Sequence, residues 1–167
     1  MRRAAHLLAP LLLALGAFAV PVRADLPAAS EATRFYPVDA DGASVLDAAL
    51  AAAAAQGRVA VIVFGADWCH DSRALARTLT SDAFRAEFDS RYSVTFIDVG
   101  KPQTGNGRNL DLVARFGVRK LKSTPALFLI SPQGKRINSR KDAIAWRNAD
   151  SRGEAAILNW FRAAAQR

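Results

Sequence analysis

Apolar runs of strand length alternate with amphipathic segments of helical spacing along this chain. Three buried strands are predicted, at Val59–Phe64, Tyr92–Val99 and Ala126–Ile130, with a short fourth strand at Lys135–Asn138. Helices are predicted between and around them, at Val45–Gln56, Cys69–Leu79, Ser81–Phe88, along the face that carries Leu110, Val113 and Phe116, and after a capping box at Ser151–Glu154. The pattern indicates strands covered by helices.

The order of these elements predicts the architecture. The first two strands are connected through helices, and such connections are right-handed crossovers that give parallel pairing. The last two are joined by a tight turn at Ser131–Gly134, which gives antiparallel pairing. We therefore expect an α/β fold with a mixed four-stranded central sheet flanked by helices. The glycine-containing segment Gly100–Gly107 is interpreted as a flexible loop.

The first residues have the layout of a secretory signal peptide. Arg2 and Arg3 precede the apolar run Leu7–Val20, and small residues at Val22 and Ala24 fit a cleavage site. The run is shorter than the about 20 residues of a transmembrane helix, although an uncleaved anchor remains an alternative. We expect a signal peptide at 1–24, a lead-in at 25–43 and a single domain at 44–167. The mature protein would then be periplasmic, or secreted if the source has no outer membrane.

Composition and charge limit the partners. The chain has 167 residues, of which 51% are hydrophobic, enough for one domain with a core. The net charge is +8, and part of it lies in the leader. A basic cluster at Arg115, Arg119, Lys120 and Lys122 lacks the interleaved aromatic residues of a nucleic-acid module, so we interpret it as a solvated face. We expect no nucleic-acid partner and no stable membrane span after cleavage.

Cys69 is the single cysteine of the chain. In an exported protein, a lone thiol indicates intermolecular pairing or reactivity, while an inert buried cysteine is the alternative. The strand, turn and helix around Cys69 place it at a helix N-terminus, where unpaired N–H groups favour a thiolate. A protonated His70 would add to this effect, whereas Asp67 and Asp71 would oppose it.

Residues Trp68-Cys69-His70-Asp71-Ser72 resemble the Trp-Cys-x-x-Cys active-site loop of the thioredoxin superfamily. Thr124-Pro125 stands where that family places a cis-proline against the active-site cysteine, and Ser131–Lys135 resembles its final hairpin. Further segments resemble an exported bacterial thioredoxin-like subgroup: Asp98–Gly100, Asn109–Leu112 and Phe116–Val118. The resemblance runs from about Ser44 to the C-terminus and implies a thioredoxin-like fold.

Two departures from the family bear on activity. Ser72 replaces the second cysteine, which resolves mixed disulfides in a dithiol enzyme, and Val63 replaces a buried acid. The resemblance therefore implies monothiol thiol–disulfide exchange through Cys69, with His70 and Ser72 as further catalytic residues. The supporting site residues are Trp68, Asp71, Thr124 and Pro125. A non-catalytic binding or chaperone-like module remains the alternative, so enzymatic activity stays open at this stage.

Other chemistries find little support in the sequence. Cys69, His70 and Asp71 cannot converge as a hydrolytic triad, because adjacent helical residues point about 100° apart. Cys69 and His70 lack the further ligands of a zinc site, which leaves only a weak soft-metal site as an alternative. We expect no cofactor and no metal. The expected partners are thiol- or disulfide-containing exported proteins, small thiols, or a second copy linked through Cys69.

Overall fold

The computed structural model describes residues 33–166, so the predicted signal peptide and the first part of the lead-in lie outside the described residues. The helices and strands in chain order are α1 (Gly42–Ala55), β1 (Val59–Gly65), α2 (His70–Leu79), α3 (Asp82–Phe88), β2 (Tyr92–Asp98), β3 (Gly100–Lys101), β4 (Asn106–Gly107), α4 (Leu110–Arg115), β5 (Ala126–Ile130), α5 (Arg140–Ala143) and α6 (Ala149–Ala164). Within residues 33–166, no helix is both long and apolar enough to cross a membrane.

Strand β1 is the centre of the main sheet. It pairs in parallel with β2 on one side and antiparallel with β5 on the other. The predicted parallel pairing of the first two strands is confirmed, and so is the mixed α/β architecture with a sheet flanked by helices. Because β1 has a neighbour on each side and helices on both faces, every residue from Ala60 to Gly65 is buried.

Alternate residues of β1 enter two separate cores, as the period of two in a strand requires. Val61 and Val63 pack into one core with side chains from α2, α3 and α6, including Leu75, Phe84 and Phe161, and with Trp146 from the segment between α5 and α6. Ile62 and Phe64 pack into the other core with side chains from α1 and α4, including Leu46, Leu112 and Val113. Helices thus hold the sheet from both faces, and the carboxyl-terminal end of β1 can support a site rigidly.

The predicted fourth strand at Lys135–Asn138 is wrong: the main sheet has three strands rather than four. After the turn, the chain makes only an isolated bridge between Ile130 and Arg136. The Asn138 side chain then replaces further backbone pairing, because it accepts from the Leu129 N–H and donates to the Leu127 carbonyl, at 2.9 Å each. The Asn138 side chain therefore makes the hydrogen bonds to the edge of β5 that the backbone of a fourth strand would have made.

The segment Gly100–Gly107 is more ordered than the flexible loop that the sequence suggested. β3 and β4 form a small antiparallel hairpin around a 3-10 turn at Pro102–Thr104. Gly105 follows the turn with a φ of 81°, a conformation that residues with a side chain rarely adopt. Here the glycine closes a tight turn instead of giving the segment freedom.

Side-chain caps fix where the helices begin. Asp41 caps α1, since its carboxylate accepts from the Ala43 N–H. The predicted box at Ser151–Glu154 is also wrong: Glu154 accepts from the Ser81 hydroxyl, and Gly153, with a φ of 74°, interrupts α6. A capping box does occur earlier, at Ser139 and Asp142, where it opens the short helix α5.

Candidate functional site

Cys69 lies where the turn after β1 becomes α2. Its N–H donates to the Ala66 carbonyl at 3.0 Å, which closes the turn, and its own carbonyl accepts the first helical bond from Arg73 at 3.1 Å. Cys69 is the N-cap residue with an extended backbone, and its side chain makes no capping bond. The thiol is therefore held at the start of a helix without being used to cap it.

The Cys69 sulfur faces the chain that leads into β5. Its thiol donates to the Thr124 carbonyl oxygen, with Sγ and O 3.6 Å apart. The following Thr124–Pro125 peptide bond is cis, at the position where the family resemblance places one. Both residues are buried. Because a carbonyl oxygen accepts from S–H, this contact holds the thiol against the segment that leads into β5.

Two buried hydroxyls near the sulfur have no partner. Ser72, which is fully buried, lies one helical turn after Cys69 on the same face of α2. Neither its Oγ nor the Oγ1 of buried Thr124 makes a hydrogen bond within the described part of the chain. An unsatisfied buried hydroxyl is costly in a stable structure and often marks a functional position. Both hydroxyls therefore retain a proton that they can donate.

The thiol itself is mostly covered. Cys69 is only 7% exposed, whereas the preceding Trp68 is 48% exposed. The indole Nε1 of Trp68 donates to the Gly100 carbonyl at 2.9 Å, so its ring is tied to the β3–β4 hairpin. The site therefore presents a fixed, open aromatic surface beside a nearly enclosed sulfur.

The His70 and Asp71 side chains contact each other. The imidazole side chain is 70% exposed, and its Nε2 lies 3.4 Å from the Asp71 carboxylate. No hydrogen bond joins His70 to Cys69 in the described residues. The other Asp71 oxygen accepts from the Asp150 N–H at 3.0 Å, which connects the first turn of α2 to the start of α6. Asp71 thus supports the helix, and His70 is available to solvent or to a bound partner.

Tyr36 and Asp67 are site residues that sequence reasoning did not assign. The Asp67 carboxylate accepts from the N–H groups of Phe35 and Tyr36, at 3.0 and 3.2 Å. The fully buried Tyr36 then donates its hydroxyl to the Ser72 carbonyl at 3.1 Å. A sequence signal was present in the aromatic pair Phe35-Tyr36 within an otherwise polar lead-in. The lead-in is therefore part of the support of the active-site helix.

Electrostatics around Tyr36 follow from this position. Burial raises the pKa of Tyr36 well above its usual value, and negative charge at Cys69 or Asp67 adds to the rise. The phenol is consequently a neutral donor, not a base, in the physiological range. Its role at the site is to position the Ser72 backbone.

A buried acid supports the hairpin beside Trp68. Asp98 at the end of β2 accepts from the Gly100 N–H at 3.0 Å and pairs with Arg108 at 3.2 Å. Burial raises the pKa of Asp98, while the Gly100 and Arg108 contacts oppose the rise. Trp68, Gly100 and Asp98 therefore form one connected support. Within residues 33–166, no three His, Cys, Asp or Glu side chains group as metal ligands would.

Comparisons with known proteins agree with this geometry. No curated protein matches the sequence. The crystal structure of a disulphide isomerase from Xylella fastidiosa Temecula1 is 29% identical and has a TM-score of 0.69, with 78% of this chain and 95% of that chain covered. A family described as Thioredoxin-like matches residues 42–132, more than half of the sequence, and these residues include the Cys69 turn and the cis Thr124–Pro125 bond. The chain belongs to the thioredoxin-like family.

Proposed function

We propose that this protein performs thiol–disulfide exchange with a single cysteine, Cys69, on exported partners. The observation that carries the proposal is the placement of the only cysteine at the N-terminus of α2, with its sulfur 3.6 Å from the carbonyl that precedes a cis-proline. The similarity to a disulphide isomerase supports the same class of chemistry. The sequence contains one cysteine, which supports a mechanism that uses a single thiol per chain.

The exchange has two steps, and both conserve the number of disulfides. First, the Cys69 thiolate attacks one sulfur of a partner disulfide; a bond forms to Cys69, the partner S–S bond breaks, and the other sulfur leaves as a thiolate. Second, a thiolate of the partner or of a small molecule attacks the sulfur bound to Cys69. Cys69 then leaves as a thiolate, and a new disulfide remains on the partner. A partner thiol in this step gives isomerisation, and a small thiol gives a new mixed disulfide.

The surrounding residues suit these steps. The unpaired Ser72 and Thr124 hydroxyls can donate to the sulfur in its anionic form, which favours both attack and departure of Cys69. A protonated His70 adds a positive charge at the open side of the site, although its 70% exposure makes that effect small and sensitive to salt. Trp68 offers an apolar surface for the partner chain beside the sulfur.

Export is part of the proposal. The layout of residues 1–24 fits a secretory signal peptide, and disulfide exchange has substrates mainly outside the cytosol. We therefore place the mature protein in the periplasm, or outside the cell if the source has no outer membrane. Its partners would be exported proteins with disulfides or thiols, small thiols, and a second copy joined through Cys69.

A second candidate is a binding or chaperone-like module that has lost catalysis. The 7% exposure of Cys69 and its contact with the Thr124 carbonyl favour this reading, because a buried thiol reacts slowly with disulfides in solution. The two candidates differ in one property, namely whether folded Cys69 reacts with a disulfide.

The test uses the reduced mature protein and a peptide whose single cysteine carries a 2-pyridyl disulfide, because the released pyridine-2-thione leaves no peptide thiol to displace Cys69. Intact mass should show a covalent adduct of one peptide per chain, which disappears when a small thiol is added. Cys69→Ser is the control and should form no adduct. If the folded wild-type protein forms no adduct although the denatured protein does, the exchange function is wrong and the binding module is favoured.

A further inference from the structure

A cleft of about 370 Å³ opens between the β3–β4 hairpin and the segment before the cis-proline. Pro102 and Gln103 form one wall, and Arg119, Lys120 and Lys122 line the other, with Leu110 and Leu121 between them. The cleft is therefore lined by both apolar and cationic residues.

The cations of this wall are not used by the fold. Arg119, Lys120 and Lys122 are exposed, and none of them makes a hydrogen bond or ion pair with another residue in 33–166. None of the residues that line the cleft is acidic. Three positive charges around one concave surface attract an anionic ligand. No carboxylate among the lining residues neutralises these charges.

Both walls of the cleft lead directly to Cys69. On one side, the hairpin begins at Gly100, whose carbonyl accepts from the indole of Trp68 at 2.9 Å. On the other side, Lys122 lies two residues before Thr124, whose carbonyl contacts the Cys69 sulfur. Two residues of extended chain span about 7 Å. A ligand seated in the cleft can therefore continue to the sulfur within a few residues.

We infer that this cleft is a docking site for an acidic polypeptide segment of the disulfide partner, next to the cysteine that Cys69 attacks. The inference rests on the proposed exchange function and adds a substrate preference to it. The carboxylates of the segment pair with Arg119, Lys120 and Lys122, and its apolar side chains pack on Leu110 and Leu121. Partners with Asp or Glu about two to four residues from the cysteine react fastest.

The shape of the cleft favours a polypeptide over a small acidic thiol. Its three cations come from different positions, 119, 120 and 122, along one segment, so a chain with several carboxylates can pair with more of them than a single carboxylate can. A volume of about 370 Å³ with apolar residues at its base accommodates several side chains. A chain with spaced carboxylates matches this distribution of charge better than a single carboxylate does.

The test measures how fast Cys69 reacts with three peptides that differ only in charge. Each peptide carries one cysteine activated as its 2-pyridyl disulfide, a neutral leaving group, flanked by Glu, Gln or Lys. Attack by Cys69 joins the peptide to the protein and releases pyridine-2-thione, which is read by absorbance. The wild-type protein should react roughly tenfold faster with the Glu peptide than with the Gln peptide at low ionic strength, and salt should reduce the ratio.

Matched variants separate the cleft from the overall charge. Lys120→Glu combined with Lys122→Glu should reduce the Glu-to-Gln rate ratio to one or below. Lys135→Glu combined with Lys141→Glu changes the net charge equally at exposed positions that do not line the cleft, and it should keep most of the wild-type ratio. Circular dichroism and urea unfolding verify that both variants are folded.

Each contrary result has a distinct meaning. Equal wild-type rates with all three peptides overturn the acidic docking site but leave the exchange function intact, whereas no reaction with any peptide overturns the exchange function itself. Equal losses of the ratio in both double variants also overturn the docking site, because general electrostatics would then account for it. The docking site is also overturned if Lys120 and Lys122 affect only the rate at which mercaptosuccinate, an acidic small thiol, releases the adduct relative to 2-mercaptoethanol. The cleft would then bind a small acidic thiol and not a polypeptide.

Discussion

Tyr36 ties the lead-in to the active-site helix, and replacing it should expose this coupling. Tyr36→Phe removes only the hydroxyl that donates to the Ser72 carbonyl at 3.1 Å. A buried hydrogen bond of this kind contributes about 1 kcal/mol net. Tyr36→Ala removes a fully buried ring that packs edge-on against Phe96 at 5.4 Å, a loss of about 3–5 kcal/mol.

The consequence for the site follows from the burial of the thiol. Cys69 is 7% exposed, so its reaction with a reagent such as iodoacetamide depends on local opening around the first turn of α2. If the Tyr36 hydroxyl bond closes that turn, its loss of about 1 kcal/mol should speed alkylation of the folded protein about fivefold, because each 1.4 kcal/mol corresponds to a factor of ten.

The assay pairs urea unfolding with alkylation below the unfolding transition. Tyr36→Phe should lower the free energy of unfolding by about 1 kcal/mol without changing the m-value. Tyr92→Phe is the matched control, since Tyr92 is also a buried core tyrosine but packs against Phe88 and Phe161. It should leave the alkylation rate unchanged. Wild-type alkylation in Tyr36→Phe, together with the expected loss of stability, would refute the coupling between lead-in and site.

Three further predictions concern the support of the site and the processing of the chain. Asp71→Ala should lower the free energy of unfolding by about 1–2 kcal/mol, because the N–H of Asp150 loses its acceptor; urea denaturation measures this, and an unchanged midpoint would contradict the supporting role. Burial raises the pKa of Asp98 in the folded state above its unfolded value, so its ionisation costs stability that returns as the pH falls. The unfolding free energy of the wild type relative to Asp98→Asn should therefore increase as the pH falls through the raised folded-state pKa toward the usual value of 3.8, and a decrease would show that the Arg108 and Gly100 contacts outweigh burial. Mass spectrometry of the exported protein should give a chain that begins at Asp25, whereas a membrane-bound form that retains Arg2 and Arg3 would refute cleavage.

The strands and the placement of Cys69 could be predicted because local pattern and tertiary structure agree there. Val59–Phe64 is apolar throughout, and the observed strand is buried on both faces. The short turn to Cys69 leaves little freedom, so the cysteine falls at the helix start as expected. Thr124-Pro125 was likewise identified, since a proline before a buried strand needs a special backbone geometry.

The missed features depend on contacts between residues that are distant in sequence. Nothing local shows that the Asn138 side chain pairs with β5 instead of its backbone. Likewise, the Glu154 carboxylate could have accepted from the Ser151 backbone N–H in a capping box, but it accepts from the Ser81 hydroxyl instead. The support of α2 by Tyr36 spans 36 residues of separation. Such side-chain contacts form only when distant segments pack together, so the local sequence pattern does not predict them.

The central claim is that one cysteine acts without an internal resolving thiol, and the lifetime of its mixed disulfide tests this directly. The measurement prepares the disulfide between Cys69 and a cysteine peptide, and follows release of the peptide by chromatography. In the wild-type protein, the adduct should persist until an external thiol is added. In Ser72→Cys, the introduced thiol lies one helical turn from Cys69 and should attack its sulfur, releasing the peptide as a thiolate and leaving an internal disulfide.

Cys69 is placed as proposed if the adduct is stable in the wild type and discharges without external thiol in Ser72→Cys. Persistence of the adduct in both proteins, with the introduced thiol remaining free, would contradict the proposed geometry of the site and the exchange mechanism built on it.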